Sequence, residues 1–114
     1  MEQMAKRDYL GNFELMVMLS LMRLDENAYG VPISREIEET TGREVALASA
    51  YATLERLEVK GLVSSELGER TSERGGRAKR YFRATGKGLR EVRETQRTLQ
   101  KLWHGVLRPK ANAI

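Results

Sequence analysis

The sequence predicts a mostly α-helical domain with one small β-hairpin and a long C-terminal helix. Apolar residues recur at helical spacing in separate stretches. A Gly75-Gly76 pair stands between two short β-prone runs. The last stretch keeps large residues at alternating spacings of three and four. At 114 residues the chain has the length of one folding unit, and 40% hydrophobic with 32% charged residues is globular rather than disordered composition.

Phe13 to Leu24 is apolar on almost every face, broken only by Glu14, Ser20 and Arg23. It is too short to span ~30 Å of hydrocarbon and reads as a buried helix. Such a helix needs cover on several sides, which a second subunit would supply; the alternative is the central helix of a monomer. Asp25 to Gly30 reads as a loop. Pro32 suits a first helical turn, Ile33 and Ile37 share a face, and Gly42 is a natural stop. A second helix is therefore expected over Val31–Thr41.

The third helix is expected over Ala48–Lys60, ending at Gly61. Leu47, Ala50, Leu54 and Leu57 form its core stripe. With Leu54 set at the core direction, Ser49, Ala52, Thr53 and Arg56 fall opposite and Tyr51 lies on a flank. That outer side is small and nearly uncharged, which permits close approach to another surface, or is simply a bland surface.

Leu62–Leu67 and Lys79–Ala84 read as strands, the second rich in β-formers. Period two puts Phe82 and Ala84 on one face, with Phe82 assigned to the core, and Lys79, Tyr81 and Arg83 on the other. Thr85 can N-cap a final helix over Gly86–Leu107, stopped by Pro109. Leu89, Val92, Gln96, Leu99, Trp103 and Val106 form its seam. A helix of ~22 residues is roughly 33 Å long. No other predicted element is long enough to cover it, so a partner chain is expected.

Charge is unevenly placed. Residues 1–68 hold 7 basic and 12 acidic residues; residues 69–83 hold six basic against two acidic; residues 84–114 hold 7 basic and 2 acidic. The whole chain is +4, so the acidic first part is balanced by a basic hairpin and final helix. This asymmetry points to a polyanionic partner, or to solubility alone. With no cysteine, disulfides, thiolate metal sites and Cys nucleophiles are excluded. A reducing cytosol fits that usage. The N-terminus shows no secretory signal pattern, so a cytoplasmic protein without a membrane span is expected.

Two short helices followed by a basic hairpin make a winged helix-turn-helix. The third helix is narrow enough for a major groove about 12 Å wide, and the hairpin, or wing, offers Arg and Lys to phosphates. The candidate DNA contacts are Ser49, Tyr51, Ala52, Thr53 and Arg56 on the helix, with Arg74, Arg77, Lys79 and Arg80 on the wing. Glu55 and Glu58 cancel Arg56 and Lys60, so most affinity is expected from the wing. Residues 1–85 form the DNA-binding unit, and residues 86–114 the dimerisation helix and tail.

The stretches YGVPISREIEE, AYATLERLEVKGLV and GGRAKRYFRATGKG resemble the PadR family of bacterial transcriptional regulators, named after the phenolic acid decarboxylase repressor. The matching features are Tyr29-Gly30, the Tyr51, Leu54, Leu57, Glu58 run, the Lys60-Gly61-Leu62 turn, and Gly75, Gly76, Arg77, Arg80 and Tyr81 in the wing. The likeness runs from about Leu10 to Val106. It implies a homodimer that controls transcription, usually as a repressor, by binding double-stranded DNA at an inverted repeat. With one C-terminal helix, the chain looks like the short subfamily. Some members of that subfamily bind flat aromatic compounds at the dimer centre against a Trp. Trp103 falls one turn later than that Trp, where this chain has Leu99, so Leu99 and Trp103 are the candidate effector positions. The alternative for Trp103 is a packed seam residue.

A second reading is a winged-helix interaction module whose basic wing meets an acidic protein. Catalysis is the weakest reading. His104 is the sole histidine, no phosphate-loop glycine pattern occurs, and neither a cofactor nor a metal is expected.

Overall fold

The computed structural model describes residues 10–68 and 78–106. The element order is α1 (Asn12–Leu24), a 3₁₀ turn (Asp25–Asn27), α2 (Gly30–Thr41), α3 (Leu47–Val59), β1 (Val63–Leu67), β2 (Arg80–Ala84) and α4 (Gly86–Trp103). Every predicted element is present, with boundaries shifted by a residue or two except at the end of α4.

Val17, Met18 and Leu21 of α1 are buried and form the centre of the core. Ile33 and Ile37 of α2, Leu54 and Leu57 of α3, Leu62, Val63 and Phe82 close around them. Leu19 and Met22, on the far side of α1, remain exposed. Gly42 ends α2 at φ 79°, and Gly61 follows α3 at the same φ, both in the region glycine adopts without a Cβ penalty.

β1 and β2 pair antiparallel, Val63 opposite Ala84 and Ser65 opposite Phe82. Phe82 points inward as expected and is 4% exposed. Its backbone N–H donates to Ala28 O at 2.8 Å, fastening the hairpin to the loop before α2. Thr85 caps α4 as expected, its Oγ1 accepting from Gly88 N at 3.0 Å and donating to Gly61 O at 2.7 Å.

Three expectations are corrected. On α3 the buried residues are Ala50, Thr53, Leu54 and Leu57, while Leu47 is exposed. They span about 100° of arc with Leu54 at one edge, so the core direction is turned by roughly 50° from the one assumed. Thr53 thereby moves inside, and Leu47 moves out. Second, α4 stops at Trp103, not Leu107, because Gly105 turns the chain away at φ 82°. Leu107 and Pro109 lie outside the described residues. Third, α4 is partly covered by its own chain: α1 packs against it, and Val92 and Thr95 are buried. At 18 residues, α4 is about 27 Å long.

Candidate nucleic-acid interface

α2 packs against α3, and α3 packs against β1 of the hairpin. Gly30 opens α2, and a Cβ there would lie 2.3 Å from Cζ of Tyr51. The Tyr51 ring therefore rests on the backbone at the start of α2, which only glycine permits. Tyr51 itself is partly exposed at the edge of α3. Ala48, Ser49 and Ala52 are exposed beside it. The exposed side of α3 is thus uncharged over its first two turns, with the small Ala48, Ser49 and Ala52 beside the larger Leu47 and Tyr51, and without Thr53.

Thr53 is 3% exposed. Its Oγ1 accepts from Nη2 of Arg56 at 3.3 Å, which makes it a support for Arg56 and removes it from any surface contact. Arg56 itself turns toward α1: its Nε donates to Oε2 of Glu14 at 3.2 Å. Lys60 Nζ donates to the same oxygen at 3.0 Å. The other oxygen, Oε1, accepts from Gly11 N–H at 2.9 Å and closes the start of α1. Burial by itself raises the Glu14 carboxyl, but the Gly11 N–H, Lys60 and Arg56 outweigh it and hold the group below the usual glutamate range. Sequence reading missed this cluster. Its one local signal is an acid in the first turn of an otherwise apolar helix.

A depressed folded pKa means that ionised Glu14 adds stability above the unfolded value, near 4.3, and loses it as pH falls through the lower folded value. The parent is therefore expected to exceed Glu14→Gln in stability at pH 7. The gap should narrow below about pH 4.3, measured by urea denaturation followed by circular dichroism.

The wing base is held by aromatic and polar contacts. Tyr29 and Tyr81 meet edge-on with ring centroids 5.3 Å apart. Lys79 Nζ stands 4.9 Å from the Tyr29 ring centre, within cation–π range. Arg80 Nη1 donates to Ser65 Oγ at 3.0 Å, and Ser65 Oγ donates to Glu58 at 2.8 Å, tying β2 to β1 and α3. Both Lys79 and Arg80 remain exposed on the outside of the hairpin. Arg74, Arg77 and the Gly75-Gly76 pair lie outside the described residues.

The seam positions divide. Val92 is buried against its own chain, whereas Leu89, Gln96, Leu99, Trp103 and Val106 are exposed. Val106 lies beyond the helix. An open apolar groove of about 540 Å³ runs between α1 and α4, lined by Leu15, Leu19, Val92, Gln96, Leu99 and Trp103. Leu99 and Trp103 thus share one groove. Among the described residues, the buried Thr95 Oγ1 and Glu91 Oε1 have no hydrogen-bond partner.

A neutral, small-residue helix face beside a hairpin with cations at its base defines a winged-helix protein of the nucleic-acid-binding kind. The chain belongs to the PadR-like family of transcriptional regulators, which matches residues 18–94. It is 36% identical over 83 residues to the transcriptional regulator Rv3488 of Mycobacterium tuberculosis, covering 73% of each chain. A PadR-like transcription factor of Bacteroides fragilis superposes with TM-score 0.68 at 28% identity, over 82% of this chain and 85% of that one. A PadR-family regulator of Eggerthella lenta does so with TM-score 0.65 at 33% identity, over 80% and 77%. The winged-helix fold and the family expected from the sequence are therefore both found. Family membership supports DNA-binding regulation as the general function. Among the described residues, no helix is long and apolar enough to cross a membrane.

Proposed function

We infer that the chain acts as a homodimeric repressor that binds an inverted-repeat operator through α3 and the wing. The observation that supports this best is that the exposed Tyr51 of α3 rests on Gly30 while the exposed Lys79 stands over the ring of the adjacent Tyr29, so the outer side of α3 and the base of the wing meet the same turn before α2. Small side chains let the helix enter a groove, and the wing cations meet phosphate. Arg74 and Arg77 extend that cationic edge in sequence.

The dimer reading rests on α4 and α1. Exposed Leu99, Leu102, Trp103 and Val106, with the exposed Leu19 of α1, make a face that a second copy would cover. Residues 86–114 serve as the dimerisation segment in this reading. A small aromatic effector entering the groove beside Leu99 and Trp103 would act on the same contacts that set the spacing of the two DNA-binding units.

The test is selection of bound fragments from genomic DNA, repeated with planar aromatic compounds. Two half-sites about one helical turn apart are expected. With roughly 6–10 phosphate contacts, affinity should fall ~10³–10⁵-fold between 50 and 200 mM salt. Changing Lys79 and Arg80 together to Ala is expected to weaken operator and non-operator DNA alike. It should also flatten the salt dependence by about 0.9 per lost contact, read by fluorescence anisotropy. Unchanged binding would remove the wing from the interface. Failure to retain any DNA at low salt, with capture of an acidic protein instead, would favour the interaction-module reading.

A further inference from the structure

Arg56 and Lys60 are the only basic residues between Leu47 and Lys60, the span of the helix assigned to the groove. Both give their charge to one oxygen of Glu14, at 3.2 and 3.0 Å. Glu14 is 8% exposed and spends its second oxygen on Gly11 N–H. The guanidinium of Arg56 is not buried: its side chain is 53% exposed. At ~100° per residue, it lies only about 40° around the helix from Ala52. A long cation so placed has the reach to touch a phosphate beside the groove, yet it is turned back onto α1. A buried carboxylate without its cations is strongly disfavoured, so the pairing opposes their release.

We propose that Glu14 is a positioning residue for DNA binding: it ties α3 to the start of α1 and withholds Arg56 and Lys60 from phosphate. The helix then meets DNA through its neutral face, and the phosphate contacts fall to the wing. The sequence-independent part of binding, which comes from cations on phosphates, is thereby kept small on the recognition helix. This inference rests on the DNA-binding reading above.

The test compares the full-length parent with Glu14→Gln on a non-operator duplex over a range of salt. Gln keeps an acceptor for Gly11 N–H but lacks the charge. The variant should bind non-operator DNA more tightly at 50 mM salt, with a slope steeper by about 0.9 for each freed cation that reaches a phosphate. Its preference for operator over non-operator DNA should fall. Equal slopes for parent and variant overturn the inference, as does weaker binding to both duplexes with no change in slope, which a purely structural role predicts. A second variant, Arg56→Gln, leaves Lys60 on Glu14 and covers the case in which Glu14→Gln does not fold. Its slope should equal that of the parent. A slope shallower by about 0.9 per protomer places Arg56 on phosphate in the parent and overturns the inference. Absence of parent binding at low salt overturns the DNA-binding reading and this inference together; parent binding with the contrary slopes overturns this inference alone.

Discussion

Gly88→Ala is expected to destabilise the protein by about 3 kcal/mol, at the upper end of ordinary overpacking. The first turn of α4 lies directly on the chain that leaves α3. A Cβ at Gly88 would stand 2.0 Å from Leu62 O and 3.0 Å from Met18 Cε. Leu62 O cannot retreat by changing rotamer, because it is backbone. It also accepts from Thr85 N–H at 3.0 Å, so moving it breaks the joint that starts α4. The melting temperature should fall by roughly 10–20 °C in calorimetry. Gly42→Ala is the control: nothing lies within 4 Å of a Cβ there, and only the φ of 79° is unfavourable. That change should cost about 1 kcal/mol. Similar losses at the two positions would contradict the close packing of α4 on Leu62.

Phe82→Ala is expected to cost about 3–5 kcal/mol, the range for emptying a buried aromatic site. The ring joins the cluster of Met18, Leu21 and Ile33, while the backbone N–H of the same residue holds Ala28. Its loss loosens the hairpin from the helices it must be aligned with. Beyond lowered stability, the variant should lose operator affinity even where circular dichroism shows it folded, because wing and α3 no longer share one frame. Phe82→Leu refills much of the volume and should recover most of both. Full operator affinity in a folded Phe82→Ala protein would show that wing position does not depend on this anchor.

Much of this architecture was legible in the sequence. Glycines 42 and 61 mark the ends of α2 and α3 because a left-handed residue is cheap only there, and both adopt φ 79°. Thr85 announced the start of α4 because a hydroxyl satisfies an otherwise orphaned N–H. Phe82 declared the inner face of β2 because side chains alternate strictly along a strand. The Gly30–Tyr51 contact was legible only as two separate family residues; their packing needed the fold.

What sequence alone determined was the order of the elements and their periodic faces, since both follow from local stereochemistry and from the spacing of apolar residues. It did not determine the phase of a helix within its layer. A stripe of four apolar residues on α3 allowed the core direction to swing by roughly 50°, and the packing of α3 against its neighbours decided that Thr53 goes in while Leu47 stays out. Nor did it determine that α1 shields Val92, or that Glu14 binds cations 42 and 46 residues away. Those are long-range pairings. No local periodicity encodes them, and the buried carboxylate finds its partners only once α1 and α3 have packed.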